Sequence, residues 1–294
     1  MNLRDLQYLV ALAETRHFGR AAERCHVSQP TLSAQLRKLE EFLGVALVER
    51  RPRQVALTVT GEAVVQRARR MLQDAEDIRG LARASQDPLS GPLKVGLIPT
   101  LGPYLLPRVA PKIARALPKL SLLLHEYQTA PLVERTLDGE LDLAILALPA
   151  ETRGLATRTL FSEPFLVAMP GRHRLAAKQQ VRATDLEGEK LLLLEEGHCL
   201  RDQALEVCGH VGTEEQAFRA TSLETLRQMV ASGLGLTLLP ELAAAGPFAA
   251  TRGLAVRPFA APAQHRVIGA AWRRSTSRGE AIAEVCEHLV RAAP

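Results

Sequence analysis

Two cysteines lie nine positions apart in a short stretch with polar and charged neighbours, and this stretch carries the most reactive chemistry in the sequence. Cys199 follows His198 and precedes Arg201 and Asp202, and the stretch ends at Cys208. The thiolate is the reactive form of cysteine, and nearby cationic groups or a helix N-terminus favour it. These neighbours therefore favour a reactive thiol at Cys199.

The spacing of the two cysteines limits how they can bond. The sequence predicts a short helix from Arg201 to Cys208 that is entered just after Cys199. At about 1.5 Å of rise per residue, a helix would hold the two Cα atoms roughly 13 Å apart. A disulfide needs Cα atoms within about 7 Å. A bond between these cysteines would therefore require the helix to unwind, which couples a chemical input to refolding, as in a redox switch.

Length, charge and cysteine content narrow the class of protein. The chain has 294 residues, so more than one domain is expected. Its net charge of +5 permits nucleic acid as a partner without requiring it. Four cysteines are too few for a disulfide scaffold.

Hydrophobic runs indicate neither secretion nor membrane insertion. The first five residues are polar or charged at several positions and are not followed by a signal-like apolar region. No run approaches the ~18 apolar residues of a membrane span. We therefore expect a cytoplasmic protein without membrane contact, where a disulfide is transient, catalytic or sensory.

The first 58 residues have the pattern of a helix-turn-helix followed by a wing. Ser28 is a predicted N-cap, Pro30 fits the first helical turn, and Gly44 is a predicted helix end. The helix between them has leucines on one face and hydrogen-bonding side chains on the other. Residues 47–57 then read as a small hairpin with a basic tip. The alternative is a three-helix packing module with a solvated face, but the order of these features favours DNA binding.

The same residues resemble the winged helix-turn-helix of LysR-type transcriptional regulators. The resemblance is carried by Phe18, Ala21-Ala22, the run Val27–Ser33 and Leu47–Arg50. It implies that one set of residues reads the DNA groove and that two arginines lie near phosphates. The predicted groove-facing residues are Gln29, Pro30, Thr31, Ser33 and Arg37, and the predicted phosphate-binding residues are Arg50 and Arg53.

A long helix is predicted after the wing, over residues 59–87. Apolar residues recur on it with spacings of 4, 3, 4, 3 and 4, at Val64, Ala68, Met71, Ala75, Ile78 and Ala82. This heptad pattern favours pairing with the same helix of a second subunit. An amphipathic helix packed on the chain's own core is the alternative. A homodimer would suit DNA with two half-sites.

From residue 92 onward, strand and helix signals alternate, which predicts an α/β domain with a mainly parallel sheet. The region resembles the two-lobed effector domain of LysR-type regulators, which is similar to periplasmic solute-binding proteins. The resemblance implies an effector domain over 92–294, with lobe I over 92–162 and 268–294 and lobe II over 163–267. Thr100 and Thr129 each follow a predicted strand, so we expect both near the cleft. The alternative is that both threonines only cap helices.

The cysteine stretch resembles the redox segment of the peroxide-sensing members of that family, as do residues 98–107 and 220–227. The resemblance implies that Cys199 reacts with hydrogen peroxide and that Cys208 resolves the product as a disulfide. It also implies a homotetramer, contact with RNA polymerase and control of antioxidant genes. The implied peroxide pocket consists of Thr100, Thr129, His198, Arg201, Asp202 and Arg266.

Other interpretations of these residues remain open. The chain could be a regulator of an organic ligand with incidental cysteines, or a thiol peroxidase that binds DNA; we expect no enzyme, because no C-x-x-C lies nearby. Arg201 and Asp202 could be a surface pair. Cys25 and Cys286 are expected to be inert. We expect no cofactor and no metal, because His198, Cys199, Cys208 and His210 lack the C-x₂₋₄-C spacing of structural zinc.

Overall fold

The computed structural model describes residues 1–51, 54–84, 87–208, 219–245 and 251–293. The chain divides into two compact units, one of residues 1–86 with 138–140 and one of residues 87–137 with 141–294. No helix in these described ranges is long and apolar enough to cross a membrane.

The first unit contains four helices and one antiparallel hairpin. Its elements are α1 (Leu3–Thr15), α2 (Phe18–Arg24), α3 (Gln29–Leu43), β1 (Val48–Arg51), β2 (Gln54–Leu57) and α4 (Val59–Ala84). Its apolar core includes Leu9, Leu12, Leu32 and Leu36, all essentially inaccessible to solvent. The predicted helix-turn-helix and wing are therefore present as folded elements.

The ends of α3 follow from the residues predicted to set them. The Ser28 hydroxyl accepts a hydrogen bond from the Thr31 amide at 3.2 Å, which caps the helix, and Pro30 lies in its first turn. Gly44 ends the helix in the left-handed conformation, with φ 69°. The bounds of this helix were therefore readable from its caps.

The backbone at the start of the wing contacts the neighbouring helices α3 and α4. Glu40, on α3, accepts hydrogen bonds from the amides of Leu47 and Val48 at 2.8 and 3.1 Å. On the other side, Gly61 approaches the Leu47 carbonyl so closely that a Cβ atom would lie 2.1 Å from its oxygen. A side chain at position 61 would therefore displace the start of the hairpin.

The two halves of the predicted heptad seam of α4 differ in their exposure to solvent. Ala68 is buried and Val64 is half-buried against the core of the first unit. Further along, Met71 and Ile78 are exposed, at 43% and 67% of their surface. The first half thus follows the alternative of packing on the chain's own core, and the second half keeps an exposed apolar face.

The second unit is built on a seven-stranded sheet flanked by helices. Its larger elements are β3 (Gly91–Leu97), α5 (Gly102–Ala116), β4 (Leu120–Glu126), α6 (Thr129–Leu137), β5 (Leu143–Leu148), β6 (Leu155–Pro170), β7 (Leu193–Leu194), α7 (Cys199–Cys208), β8 (Arg219–Ala220), α8 (Leu223–Ala231), β9 (Thr237–Pro240), α9 (Glu241–Ala244), β10 (Leu254–Pro258), β11 (His265–Arg273) and α10 (Gly279–Val290). Two 3-10 helices cover Arg174–Ala177 and Ala183–Leu186.

The prediction of a mainly parallel sheet is wrong. The strand order is β10-β6-β11-β5-β3-β4, and β9 pairs with β6. Only β3 makes parallel pairs in this sheet, with β4 and β5, whereas the pairs that involve β6 and β11 are antiparallel. The reason is that β11 returns from the distal part of the chain and inserts between β5 and β6, a long-range pairing that local alternation cannot indicate.

Strand β6 changes partners along its length. Residues 155–164 pair with β11, and residues 165–170 pair with β9 and β10. The lobe boundaries proposed from the sequence, at 162/163 and 267/268, both fall inside the β6–β11 ladder. At this place Glu163 pairs in register with Arg266. Both predicted lobe boundaries therefore fall on two neighbouring, paired strands.

Candidate functional site

Cys199 is a free thiol at the first position of α7. The helix runs without interruption to Cys208, so it begins two residues earlier than predicted. Nine residues of helix still separate the two Cα atoms by roughly 13 Å. The side chain of Cys208 lies outside the described residues.

Burial and polar neighbours have opposite effects on the Cys199 thiol. Burial has the larger effect and raises its pKa above the usual value. The charge of Arg266, a hydrogen-bonding contribution from Thr129 and backbone amides at the start of α7 lower the pKa. The expected support from Arg266 is therefore present, but it does not outweigh desolvation.

Thr129 supplies an unsatisfied hydroxyl beside this thiol. It is the first residue of α6, and its Oγ1 is buried without a well-oriented hydrogen-bond partner among the described residues. A buried polar atom without a partner is costly unless water or a ligand satisfies it. The hydroxyl is thus placed to bind a small polar molecule next to Cys199.

Thr100 is tied to Arg266 on the same side of the sheet. Arg266 donates from its two terminal nitrogens to the Thr100 hydroxyl at 3.0 Å and to the Thr100 carbonyl at 3.2 Å. Its Nε donates to Glu163 at 2.8 Å. All three residues are buried. The structure therefore brings together Thr100, Thr129, Cys199 and Arg266, four of the predicted site residues.

His198 is buried one residue before the thiol. Its Nε2 lies 3.9 Å from a carboxylate oxygen of Glu195. Burial lowers the pKa of His198, and the Glu195 charge opposes this effect. The imidazole is therefore favoured in its neutral form, which can both donate and accept a hydrogen bond.

The Arg201 side chain faces two solvent-exposed carboxylates, one of which belongs to Asp202. The Arg201 guanidinium lies 4.0 Å from Glu196 and 3.7 Å from Asp202, whose side chain is 80% exposed. Neither residue is among the influences on the Cys199 pKa. In this reduced form the pair has the geometry of a surface ion pair.

The predicted DNA-reading residues lie on the accessible side of α3. Gln29, Pro30, Thr31 and Arg37 are exposed, and Ser33 is half-buried. The Ser28 and Thr31 hydroxyls lie 2.7 Å apart, so Thr31 also supports the helix start. Arg53 and the side chain of Arg50 lie outside the described residues.

The other two described thiols have neighbouring charges of both signs, Arg24, Arg4 and Glu14 at Cys25 and Arg158 and Glu287 at Cys286. Cys286 is fully buried on α10, and burial raises its pKa to about 11. Burial also raises the pKa of Cys25, which is half-buried. No group of three or more metal-binding side chains occurs in the described part of the chain. Of the four zinc candidates, His210 and the Cys208 side chain lie outside it.

Two site residues were not found from the sequence. Glu163 becomes a partner of Arg266 only when β6 and β11 align, and no local pattern indicates this. Gln128 precedes Thr129, and its amide reaches the Glu196 carbonyl at 3.4 Å, which joins the start of α6 to the loop before Cys199. Gly197 lies against this contact, since a Cβ there would be 2.5 Å from the Gln128 Oε1, but this proximity becomes visible only in the structure.

Each of the two units matches a known protein family. Residues 3–62 match the family "bacterial regulatory helix-turn-helix protein, lysR family", and residues 86–294 match the family "LysR substrate binding domain". The chain therefore belongs to the LysR family of DNA-binding transcriptional regulators, as predicted, and is not an enzyme.

Within that family, the similarity is to OxyR. The chain is 50% identical over 288 residues to the DNA-binding transcriptional dual regulator OxyR of Escherichia coli K12, which covers 97% of this chain and 94% of that protein. A full-length cysteine-to-aspartate variant of Pseudomonas aeruginosa OxyR covers 100% of this chain and 96% of its own, with 44% identity and a TM-score of 0.81. A hydrogen peroxide-bound mutant of Corynebacterium glutamicum OxyR is 37% identical, with coverages of 99% and 92% and a TM-score of 0.69.

Proposed function

We propose that the chain is a peroxide-responsive transcriptional regulator in which Cys199 is oxidised and Cys208 resolves the product. The observation that carries the proposal is the free Cys199 thiol beside Arg266 and the unsatisfied Thr129 hydroxyl. Similarity to a peroxide-bound OxyR supports the choice of ligand. A peroxide molecule would offer the Thr129 hydroxyl a hydrogen-bond partner in addition to the Cys199 thiol.

The proposed chemistry needs one thiolate and one proton. The Cys199 thiolate attacks one peroxide oxygen, the O–O bond breaks, and the departing oxygen takes up a proton and leaves as water. Thr100 and Thr129 orient the peroxide, and His198 belongs to the same hydrogen-bonding network. The resulting sulfenic acid condenses with the Cys208 thiol, which forms the disulfide and releases a second water.

Disulfide formation would reshape the second lobe. Helix α7 separates the two cysteines by roughly twice the span that a disulfide tolerates. The bond therefore requires α7 to unwind. Arg201 and Asp202 lie on this helix next to Cys199, so their proposed part in the peroxide pocket belongs to the reduced form, and both would move when α7 unwinds. Refolding of lobe II would then alter the subunit arrangement on DNA.

The remaining parts of the proposal concern partners. Residues Gln29, Pro30, Thr31, Ser33 and Arg37 would contact the major groove of promoter DNA, and Arg50 and Arg53 its phosphates. The exposed Met71 and Ile78 of α4 would contribute to a homodimer, and two dimers would form a tetramer. Contact with RNA polymerase, control of antioxidant genes and action in the cytoplasm, where resting thiols are reduced, complete the proposal.

Mass spectrometry of the full chain before and after one equivalent of hydrogen peroxide tests the central step. The expected result is an intramolecular Cys199–Cys208 disulfide together with a changed DNA footprint. Cys208→Ser should stop at the sulfenic acid of Cys199. An intramolecular disulfide in Cys208→Ser, or identical footprints for reduced and oxidised protein, would contradict the proposal.

A second candidate is a regulator that responds to an organic ligand. The match to a substrate binding domain favours it. Such a protein would keep its DNA footprint when peroxide is added, and Cys199→Ser would leave its output unchanged. The peroxide titration therefore separates the two candidates.

A further inference from the structure

Glu163 occupies the place where the chain passes between the two lobes. It is the ninth residue of β6, within the segment that pairs with β11 and two residues before the strand turns to β9 and β10. Its partner in the ladder is Arg266. Because opposite residues on one face of an antiparallel pair are neighbours, the two side chains meet. Neither is accessible beyond 1% of its surface.

Both oxygens of the Glu163 carboxylate are occupied. One accepts from Nε of Arg266 at 2.8 Å and also lies 2.8 Å from its second terminal nitrogen. The other accepts from the backbone amide of Leu242, near the start of α9, at 2.7 Å. The carboxylate thereby holds the guanidinium from one side and is itself fixed by the backbone of lobe II.

The opposite side of Arg266 faces the reactive site. Two of its nitrogens bind the hydroxyl and the carbonyl of Thr100, and its charge acts on Cys199. Arginine donors form a rigid planar fork, so an acceptor that fixes one edge also fixes the direction of the other. A continuous set of contacts therefore runs from Leu242 through Glu163 and Arg266 to the peroxide-facing threonine.

We propose that Glu163 is a positioning residue for the peroxide reaction, because its carboxylate holds the Arg266 guanidinium against Thr100 and towards Cys199. This inference rests on the proposed function and adds a residue to its site. An amide cannot replace the carboxylate, since its NH₂ group would face another donor, either the Leu242 amide or the guanidinium. Loss of the carboxylate charge therefore releases Arg266 from its fixed orientation.

The test is a pH titration of the Cys199 thiolate in the full chain. Thiolate absorbance at about 240 nm is followed for the wild type and for Glu163→Gln, and the signal of the matching Cys199→Ser protein is subtracted. An opposite charge close by lowers a pKa by about 1–3. Loss of the Glu163 charge alone would favour the thiolate and lower the Cys199 pKa, whereas loss of the Arg266 position acts in the opposite direction. We expect the second effect to be the larger, so the Cys199 pKa should rise by about 1 in Glu163→Gln. The thiolate fraction and the peroxide rate at pH 7 should each fall about tenfold. An unchanged or lowered pKa would overturn the proposal.

Two further variants separate positioning from a general structural role. If Glu163 acts through Arg266, Glu163→Gln should not raise the Cys199 pKa further in an Arg266→Gln background; a further rise would contradict the proposal. Glu163→Asp keeps the charge but shortens the reach, so it should give an intermediate pKa, and it replaces Glu163→Gln if that protein does not fold. Glu287→Gln, which removes the carboxylate paired with Arg158 at 2.6 Å, is the matched control and should leave Cys199 unchanged.

The titration contains no peroxide, so its outcome is independent of the sensing proposal. If the wild-type thiol proves unreactive to peroxide, the proposed function fails, whereas the role of Glu163 in orienting Arg266 is still decided by the titration. If the wild type reacts but Glu163→Gln has the same pH profile, only the positioning role fails.

Discussion

Two of the described thiols lie in the same α/β unit, the half-buried Cys199 and the fully buried Cys286, and their charged surroundings differ. Burial raises the pKa of both Cys199 and Cys286. Around Cys286 the two nearest charges oppose each other, because Arg158 lowers the pKa and Glu287 raises it. Around Cys199 every polar neighbour favours the thiolate. Burial thus favours the protonated thiol. Neighbouring groups can make the thiol reactive when all of them favour the thiolate.

The two arginines show the same contrast. Arg266 and its partner Glu163 are fully buried, whereas the side chains of Arg158 and Glu287 are 40% and 44% exposed. A buried arginine loses its hydration and must be held by protein acceptors, so its direction is fixed. A half-exposed arginine is compensated by water and is screened. The buried pair can therefore orient a reaction, and the exposed pair cannot.

Removing each thiol in turn should give the largest difference. Cys199→Ser is expected to abolish the peroxide-induced disulfide and the change in DNA footprint, because no thiolate remains beside Arg266. Cys286→Ser is expected to retain both, since that thiol is fully buried and its pKa is about 11. Mass spectrometry and footprinting after one equivalent of peroxide provide the measurement. Loss of the response in a folded Cys286→Ser protein would show that the contrast between the thiols is wrong.

The two arginine pairs should differ in their contribution to stability. Arg266→Gln leaves the Glu163 carboxylate buried without its partner, which typically costs about 3–5 kcal/mol. Arg158→Gln removes a half-exposed pair that water screens and should cost much less. Denaturant unfolding of both proteins, followed by a signal from the second unit, gives the comparison. Similar losses for the two variants would mean that the buried pair is compensated elsewhere.

Stability at alkaline pH should depend on Cys286. Its folded-state pKa of about 11 lies above the ordinary value of 9.0. The unfolded chain therefore loses its proton first, and the contribution of the protonated thiol, complete below pH 9, is lost as the pH rises towards 11. The difference corresponds to about 3 kcal/mol. The free energy of unfolding of the wild type should fall more steeply over this range than that of Cys286→Ala, and equal slopes would count against a buried, protonated thiol.

The sequence predicted the features that depend on local chemistry. Ser28, Pro30 and Gly44 define a helix because capping acts within four residues. Thr100 and Thr129 were assigned to one side of the domain because both follow parallel strands. Their shared location needed no knowledge of side-chain packing.

Contacts between strands that lie far apart in the chain could not be predicted from local sequence patterns. Arg266 and Glu163 lie 103 positions apart and meet only through the β6–β11 ladder, the same ladder that makes the sheet mostly antiparallel. The sequence left two roles open for Arg201, in the peroxide pocket or in a surface pair with Asp202, and only the structure shows its guanidinium near the Glu196 and Asp202 carboxylates. A residue type and its position in the chain identify candidates, whereas burial and pairing decide which of them meet.

The smallest expected effect concerns the hydroxyl of Thr129. Thr129→Val keeps the shape of the side chain but removes the buried Oγ1, which has no well-oriented partner among the described residues. A single hydrogen bond contributes about 0.5–1.5 kcal/mol, so peroxide oxidation of Cys199 should slow by about 2–10-fold. Because the hydroxyl also lowers the Cys199 pKa, the rate profile should move to higher pH. Stopped-flow oxidation at several pH values measures both effects.

Thr136→Val is the matched control, on the same helix α6. Its hydroxyl is buried too, but it donates to the Leu132 carbonyl at 2.7 Å and so serves only the helix. This change should lower stability slightly and leave the oxidation rate unchanged. If both valine variants slow oxidation equally, the cause is a disturbance of α6. If only Thr129→Val does so, with its profile at higher pH, the effect belongs to the Thr129 hydroxyl beside the thiol.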